Sequence, residues 1–264
     1  MKKNPNKKIA TLQGQFTDID KILLAFSGGV DSTFLLYLIN SIDGPELEAL
    51  TIKTPYIPQW EVDEAVSICS DIGVAHKILN MGIPDSIINN PADRCYLCKK
   101  MLFTRIREYA REYGFNKIVD GSNADDIGEY RPGIRALKEL EIKSPLLEAG
   151  FTKKEIRMHS REVGLKIWDK PAYACLLTRL PHNILVDKED LKTIELGEKY
   201  LHEAGFPGLR MRMHGEIARL ECDPACFEGI INNRIKIISY LKNLGIKYIT
   251  IDIEGYRTGS MNLI

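Results

Sequence analysis

The tightest constraint on this chain's fold sits near its start. The apolar run Lys21-Ile-Leu-Leu-Ala-Phe26 meets the hexapeptide Ser27-Gly-Gly-Val-Asp-Ser32, and an apolar, helix-like stretch follows to Ile39. A run of that length reads as a buried strand, and the paired glycines let the backbone turn tightly into a helix without a Cβ in the way. The first N–H groups of a helix have no intrahelical partner and carry partial positive charge, so such a turn faces an anion. The hydroxyls of Ser27 and Ser32 add donors. Gly28, Gly29, Val30 and Asp31 complete a loop suited to phosphate. It is not a Walker A sequence, since no Gly-Lys-Ser/Thr follows the glycines, and it is not G-x-G-x-x-G.

The same alternation continues downstream. Strand patterns at Leu47–Ile52, Ala75–Leu79 and Lys117–Asp120 are separated by helical spacing over Pro58–Ile72 and about Tyr96–Tyr113. This β-α-β-α order predicts an α/β fold, a parallel sheet with helices on both faces. Thr152-Lys-Lys-Glu155 is a capping-box signature that opens a helix to about Val163. Lys170–Cys175 is irregular. Beyond Pro181 the pattern changes to a helix (Lys188–Ala204), two short strands (Leu209–Met213, Glu216–Glu221) joined by His214-Gly215, a helix (about Pro224–Leu244) and a strand (Tyr248–Ile253). We therefore expect two domains, 1–182 and a small α-β-β-α-β domain over 183–264. Residues 1–18 are expected to be a flexible tail.

Composition narrows the function. Lys+Arg and Asp+Glu both number 36, so the basic excess of a dedicated nucleic-acid binder is missing. No apolar run approaches the length that crosses a bilayer. Six cysteines in 264 residues are too sparse for a disulfide scaffold. With no signal-peptide pattern, they point to a reducing cytoplasm, where clustered cysteines mean metal or chemistry.

The Ser27–Ser32 hexapeptide resembles the signature of the PP-loop ATP pyrophosphatases. That resemblance implies an adenine-nucleotide α-hydrolase-like fold and a loop that holds the phosphates of ATP. It implies a substrate oxygen adenylated with release of pyrophosphate, then displacement of AMP by a nucleophile. A second polar cluster, Asp120-Gly-Ser-Asn-Ala-Asp-Asp126, ends the fourth strand. Ligands of such sheets bind beyond the carboxyl ends of the strands, so this cluster, with Gly121 and Ser122, is expected to face the same cleft. Carboxylates beside phosphates suit Mg²⁺, with Asp125 or Asp126 as its ligand; the sequence does not choose between them.

The cysteines bear on the chemistry. Arg94-Cys-Tyr-Leu-Cys-Lys99 places a C-x-x-C at a helix start, a spacing shared by zinc sites and redox motifs. Cys69 lies on the apolar stripe of its helix, and Cys222 and Cys226 read as packing. Cys175 falls in Lys170-Pro-Ala-Tyr-Ala-Cys-Leu-Leu-Thr-Arg-Leu-Pro181. Together with Ser27–Ser32, Asp120–Asp126, Arg131-Pro-Gly133, Ser144-Pro-Leu146, Arg210-Met-Arg212 and Gly255–Asn262, that segment resembles the LarE-type sulfur transferases, in the same order along nearly the whole chain. The family makes the nickel-pincer nucleotide cofactor, converting a pyridinium biscarboxylic acid mononucleotide to thiocarboxylate. Two versions of its chemistry exist. In one, the cysteine matching Cys175 gives up its own sulfur and becomes dehydroalanine. In the other, that cysteine and a C-x-x-C hold a [4Fe–4S] cluster whose free iron carries exogenous sulfide. Cys95 and Cys98 favour the cluster, because soft thiolates select iron–sulfur clusters or zinc and three of them leave one position open.

Arg210 and Arg212 alternate with Leu209, Met211 and Met213, so both project from one face of a strand. That pattern fits a solvated edge strand or a phosphate clamp. The resemblance favours the clamp, holding the substrate's 5′-phosphate with Thr178 and Glu198 nearby. It also implies a homo-oligomer and a sulfide or cysteine-derived sulfur donor. The rival readings are a tRNA thiolase with the same loop and a three-cysteine cluster, and a non-enzymatic ATP switch.

Overall fold

Ile22 and Leu24 point to one face of the first strand and Leu23 to the other, and these three fully buried side chains seed two separate cores. The computed structural model describes residues 5–127, 132–257 and 259–262. Arg131 and Thr258, within two of the segments singled out above, lie outside the described residues, as do residues 1–4 of the expected tail.

The chain forms two compact units. The first comprises Met1–Thr54, Gln59–Gly82 and Asp93–Ala172. Its sheet holds β1 (Lys21–Ala25), β2 (Glu46–Lys53), β3 (Ala75–Asn80) and β4 (Lys117–Asp120) in the order β3-β2-β1-β4, all parallel. Parallel neighbours need crossovers, and the helices that supply them cover both faces. On one face α1 (Pro5–Gln13), α2 (Val30–Asn40), α3 (Gln59–Ile72), α6 (Pro145–Glu148) and α7 (Lys153–Glu162) enclose Ile22, Leu24, Phe34 and Phe151. On the other, α4 (Arg94–Glu112) and α5 (Pro132–Glu139) close over Leu23, Leu50 and Ile52. The expected α/β architecture is the one observed.

One expectation is corrected. The segment read as a flexible tail is helical from Pro5 to Gln13. Leu12 and the following Phe16 are fully buried in the first core, and Lys8 Nζ donates to the Gly150 carbonyl (2.7 Å) and to Glu155 (2.8 Å). The lysines around these two apolar residues mask them in a composition reading.

The second unit comprises Pro55–Pro58, Ile83–Ala92 and Tyr173–Ile264, so the chain passes into it after Ala172, earlier than the division expected after residue 182. Asn90 joins its pieces: the buried amide donates to the carbonyls of Leu177, Leu180 and Pro181. Helix α8 (Lys188–Glu203) packs on a three-stranded sheet of β5 (Arg210–His214), β6 (Ile217–Glu221) and β7 (Tyr248–Ile251). β5 and β6 form an antiparallel hairpin, and β6 and β7 run parallel. The single helix expected over Pro224–Leu244 is instead a 3₁₀ turn (Pro224–Cys226), α9 (Phe227–Asn232) and α10 (Arg234–Asn243), broken at Asn233. No helix among the described residues is long and apolar enough to cross a membrane.

Candidate active site: a glycine loop, two carboxylates and a buried arginine set

The loop after β1 folds as its composition demands. Gly28 has φ +68°, a conformation open to glycine, and a Cβ there would meet Ala65 at 3.2 Å. Gly29 caps α2 with no side-chain cap bond, which leaves the helix's first N–H groups for a ligand. Ser27 Oγ and Ser32 Oγ lie 3.1 Å apart, and Ser32 Oγ also donates to the Gly29 carbonyl. Lys170 Nζ holds the Gly28 carbonyl at 3.2 Å and pairs with Glu64 at 2.6 Å. The end of β4 closes against this loop. A Cβ on Gly121 would come within 2.8 Å of Ser32 N, so only glycine fits there, while Ser122 is buried beside it.

The Asp120–Asp126 cluster meets the loop directly: Asn123 Nδ2 donates to Asp31 Oδ2 at 3.0 Å. Lys153 Nζ stands 3.9 Å from the same oxygen. The other oxygen, Asp31 Oδ1, is buried and accepts no hydrogen bond among the described residues. Burial pushes the Asp31 carboxyl above its ordinary range, against the pull of Lys153 and the Asn123 hydrogen bond, and the Asp126 charge adds to the rise. A buried, unsatisfied oxygen on Asp31, with the Asp126 charge acting on the same carboxyl, fits a hard divalent cation, which takes few protein ligands and completes its shell with phosphates and water. Asp125 and Asp126 differ in their surroundings. Asp125 is exposed and its Oδ2 caps α7 by accepting from Lys153 N at 2.8 Å, whereas Asp126 is buried, accepts from Asn123 N and acts through its charge on Asp31.

In the second unit, Arg179 and Glu198 form a fully buried bidentate pair, Nε to Oε1 and Nη2 to Oε2, each 2.9 Å. Arg179 Nη1 also donates to the Ala174 and Cys175 carbonyls and to Thr178 Oγ1, and Thr178 Oγ1 in turn donates to the Cys175 carbonyl. Glu198 Oε1 accepts from Met211 N at 2.8 Å. Glu198 and Thr178 thus pin the backbone at Cys175 and β5; with both its oxygens engaged and no exposure, Glu198 lines no open surface. Arg210 lies over the Tyr173 ring at 4.2 Å and near Tyr256 at 5.7 Å. Arg212 pairs with the buried Glu221, which also takes Arg219 and Ser260. Both β5 arginines are 5% exposed, so the strand is no solvated edge. Breaking a buried pair leaves an uncompensated charge, so Glu198→Ala is expected to lose about 3–5 kcal/mol in urea unfolding, and the double change Arg179→Met with Glu198→Leu far less.

None of the six cysteines forms a disulfide. Cys95 and Cys98 occupy the first turn of α4, exposed and half-buried, and half-buried Cys175 caps the 3₁₀ turn Leu176–Arg179. The donor set suits an iron–sulfur cluster chemically. Among the described residues no three His, Cys, Asp or Glu side chains are gathered in one metal-binding group. Burial pushes the Cys69 thiol up to about 12 and that of Cys222 up to about 11. Alkylation at about pH 8 is therefore expected to label Cys95, Cys98, Cys175 and Cys226 and to spare Cys69 and Cys222, as peptide mass spectrometry will read.

Sequence reasoning passed over Asn123, Lys153, Lys170 and Arg179. Arg179 alone left a trace, a charge among the leucines of Leu176-Leu177-Thr178-Arg179-Leu180, which calls for a buried partner.

No protein-family model matches the chain. It is 33% identical to the pyridinium-3,5-bisthiocarboxylic acid mononucleotide synthase of Lactiplantibacillus plantarum, over 97% of this chain and 94% of that protein. An uncharacterised protein of Synechocystis is 34% identical, with 97% of each covered. A tRNA-cytidine(32) 2-sulfurtransferase of Francisella tularensis is 28% identical over 116 residues, 41% of this chain and 46% of the relative.

Proposed function

The chain belongs to the LarE family of sulfur transferases, and we propose that it is an ATP-dependent enzyme of nickel-pincer cofactor biosynthesis, converting carboxylates of pyridinium-3,5-biscarboxylic acid mononucleotide to thiocarboxylates. The observation that carries this reading is similarity to the synthase along the whole chain; the Ser27–Ser32 loop, whose Asp31 accepts from Asn123 of the Asp120–Asp126 cluster, supports it. The match to the tRNA enzyme covers less than half of either chain and supports the shared loop chemistry only.

In this reading the N–H groups of α2 and the Ser27 and Ser32 hydroxyls hold the β- and γ-phosphates of ATP. Asp31 and Asp126 hold Mg²⁺. A substrate carboxylate oxygen attacks the α-phosphorus, the bond to the bridging oxygen breaks, and pyrophosphate leaves with the negative charge that the loop stabilises. The product is an acyl adenylate, from which a sulfur nucleophile displaces AMP. Arg210 and Arg212 bind the 5′-phosphate, Arg212 with its charge partly offset by Glu221. Cys95, Cys98 and Cys175 supply three thiolates to a [4Fe–4S] cluster, which when bound offers one iron without a protein ligand to sulfide from outside the chain. Arg179, Glu198 and Thr178 keep the Cys175 turn rigid. Homo-oligomeric assembly is part of the same proposal.

The test is incubation of the anaerobic protein with ATP, Mg²⁺, sulfide and the biscarboxylic mononucleotide. Pyrophosphate release that depends on the mononucleotide, with a product heavier by the difference between sulfur and oxygen, is the expected result. Pyrophosphate release that depends instead on tRNA would overturn the substrate assignment.

A further inference from the structure

Four segments of the first unit converge on one ion pair that the proposed chemistry does not use. Lys99, the residue after Cys98, reaches across from α4 to the end of β4, where its Nζ lies 3.6 Å from Asp120 Oδ2. Asp120 is only 5% exposed, and its carboxylate is held on both oxygens: Ser122 Oγ donates to Oδ2 at 2.6 Å and Ser144 Oγ to Oδ1 at 2.5 Å. The lysine stem is confined as well. Its Cδ would stand 2.8 Å from a Cβ on Gly133, and its ammonium lies 5.7 Å from the Phe103 ring centroid. Gly133 thus makes room for Lys99, and Ser144 orients Asp120. The residue after Asp120 is Gly121, whose backbone packs on Ser32 too closely for any side chain. A continuous path of contacts therefore runs from Cys98-Lys99 through Asp120-Gly121 to Ser32 in the loop after β1.

We propose that Lys99 and Asp120 are positioning residues that couple the Cys95–Cys98 turn to the nucleotide loop, so that a nucleotide bound at Ser27–Ser32 changes the environment of the Cys98 thiol. The physical argument rests on the arrangement of the carboxylate. An Asp120 with both oxygens engaged cannot move alone, so a displacement at Ser32 and Gly121 carries Asp120 with it and draws or releases the lysine next to Cys98. Coupling of two sites requires such an element that both of them bias. The inference rests on the proposed reading that the loop binds ATP. It needs no metal on the cysteines.

The experiment uses the full chain, reduced and free of iron. The alkylation rates of Cys95 and Cys98 by N-ethylmaleimide are followed by peptide mass spectrometry, with and without a non-hydrolysable ATP analogue and Mg²⁺, and analogue binding is measured separately by calorimetry. In the wild type the analogue is expected to change the Cys98 rate about fivefold, a modest coupling. Lys99→Met should abolish that dependence while still binding the analogue, Lys99→Arg should restore it in part, and Gly133→Ala should weaken it by displacing the stem. An unchanged dependence in Lys99→Met would mean that the nucleotide simply covers the thiol, and would overturn the coupling. So would a wild type that binds the analogue with no change at Cys98. A wild type that does not bind the analogue removes the ATP reading itself, and the coupling with it.

Discussion

Asp31→Asn is expected to slow pyrophosphate release by about a hundred- to a thousandfold, the scale for losing one preorganised charge-stabilising group, while making the folded protein more resistant to heat at neutral pH. The two effects have one cause. Burial holds the Asp31 carboxyl above its ordinary range, although Lys153 and Asn123 pull it down. The native state therefore binds a proton more tightly at this site than the unfolded chain does. Between the unfolded value and the raised native one, stability falls as pH increases, and above that window the loss is fully present. Asparagine carries no charge, keeps an oxygen for Asn123 Nδ2 and removes the repulsion from Asp126. Thermal unfolding should show wild type and variant close together at about pH 4, with the variant pulling ahead as pH rises to about 7. A variant less stable at the higher pH would mean that Asp31 holds the loop together instead of charging it. A variant that releases pyrophosphate at the wild-type rate would remove the carboxylate from the chemistry. A site that lowers stability and is required for activity fits a group placed for a cation, since Mg²⁺ would relieve the same charge.

What the sequence made legible was local. The capping box at Thr152 is present with both of its reciprocal bonds, and β4 spans the residues its pattern marked. The Gly28-Gly29 turn was readable because its residues, its strand and its helix adjoin in sequence. Features made by tertiary contact left little trace. Leu12 and Phe16 are a thin apolar signal in a lysine-rich segment, and only the first core makes them a reason for helix. That Asp125 is engaged at the N-terminus of α7 depends on a contact 28 residues away in the chain. Glu198 was expected at a substrate surface, but the backbone N–H of Met211 and the Arg179 fork use both its oxygens. Arginine spacing on β5 puts Arg210 and Arg212 on one face of the strand. It could not show that Glu221, on the neighbouring strand, already shares Arg212.

The cysteines give the prediction with the sharpest alternatives. If Cys95, Cys98 and Cys175 hold a cluster, anaerobically purified protein should be brown, with iron and sulfide each near about four per chain. Cys95→Ala, Cys98→Ala and Cys175→Ala should each lose the colour and sulfur transfer, because two thiolates hold a cubane poorly. Pyrophosphate release should persist in all three, since the groups proposed for the phosphates, over Ser27–Ser32, and for Mg²⁺, Asp31 and Asp126, include no thiol. The sacrificial route separates the cysteines differently. There only Cys175→Ala would be inactive, and after one turnover the wild-type chain would be lighter by H₂S, the mark of dehydroalanine at Cys175. A colourless protein containing zinc would sink the cluster route, and an unchanged chain mass after turnover would sink the sacrificial one. The structure adds a reason to test Cys175 with care. Its carbonyl accepts from Thr178 Oγ1 and from Arg179, so the backbone at this position is fixed by groups that Cys175→Ala leaves in place. The substitution therefore removes a sulfur atom and little else, and a loss of function in it reports on the thiol and not on the fold.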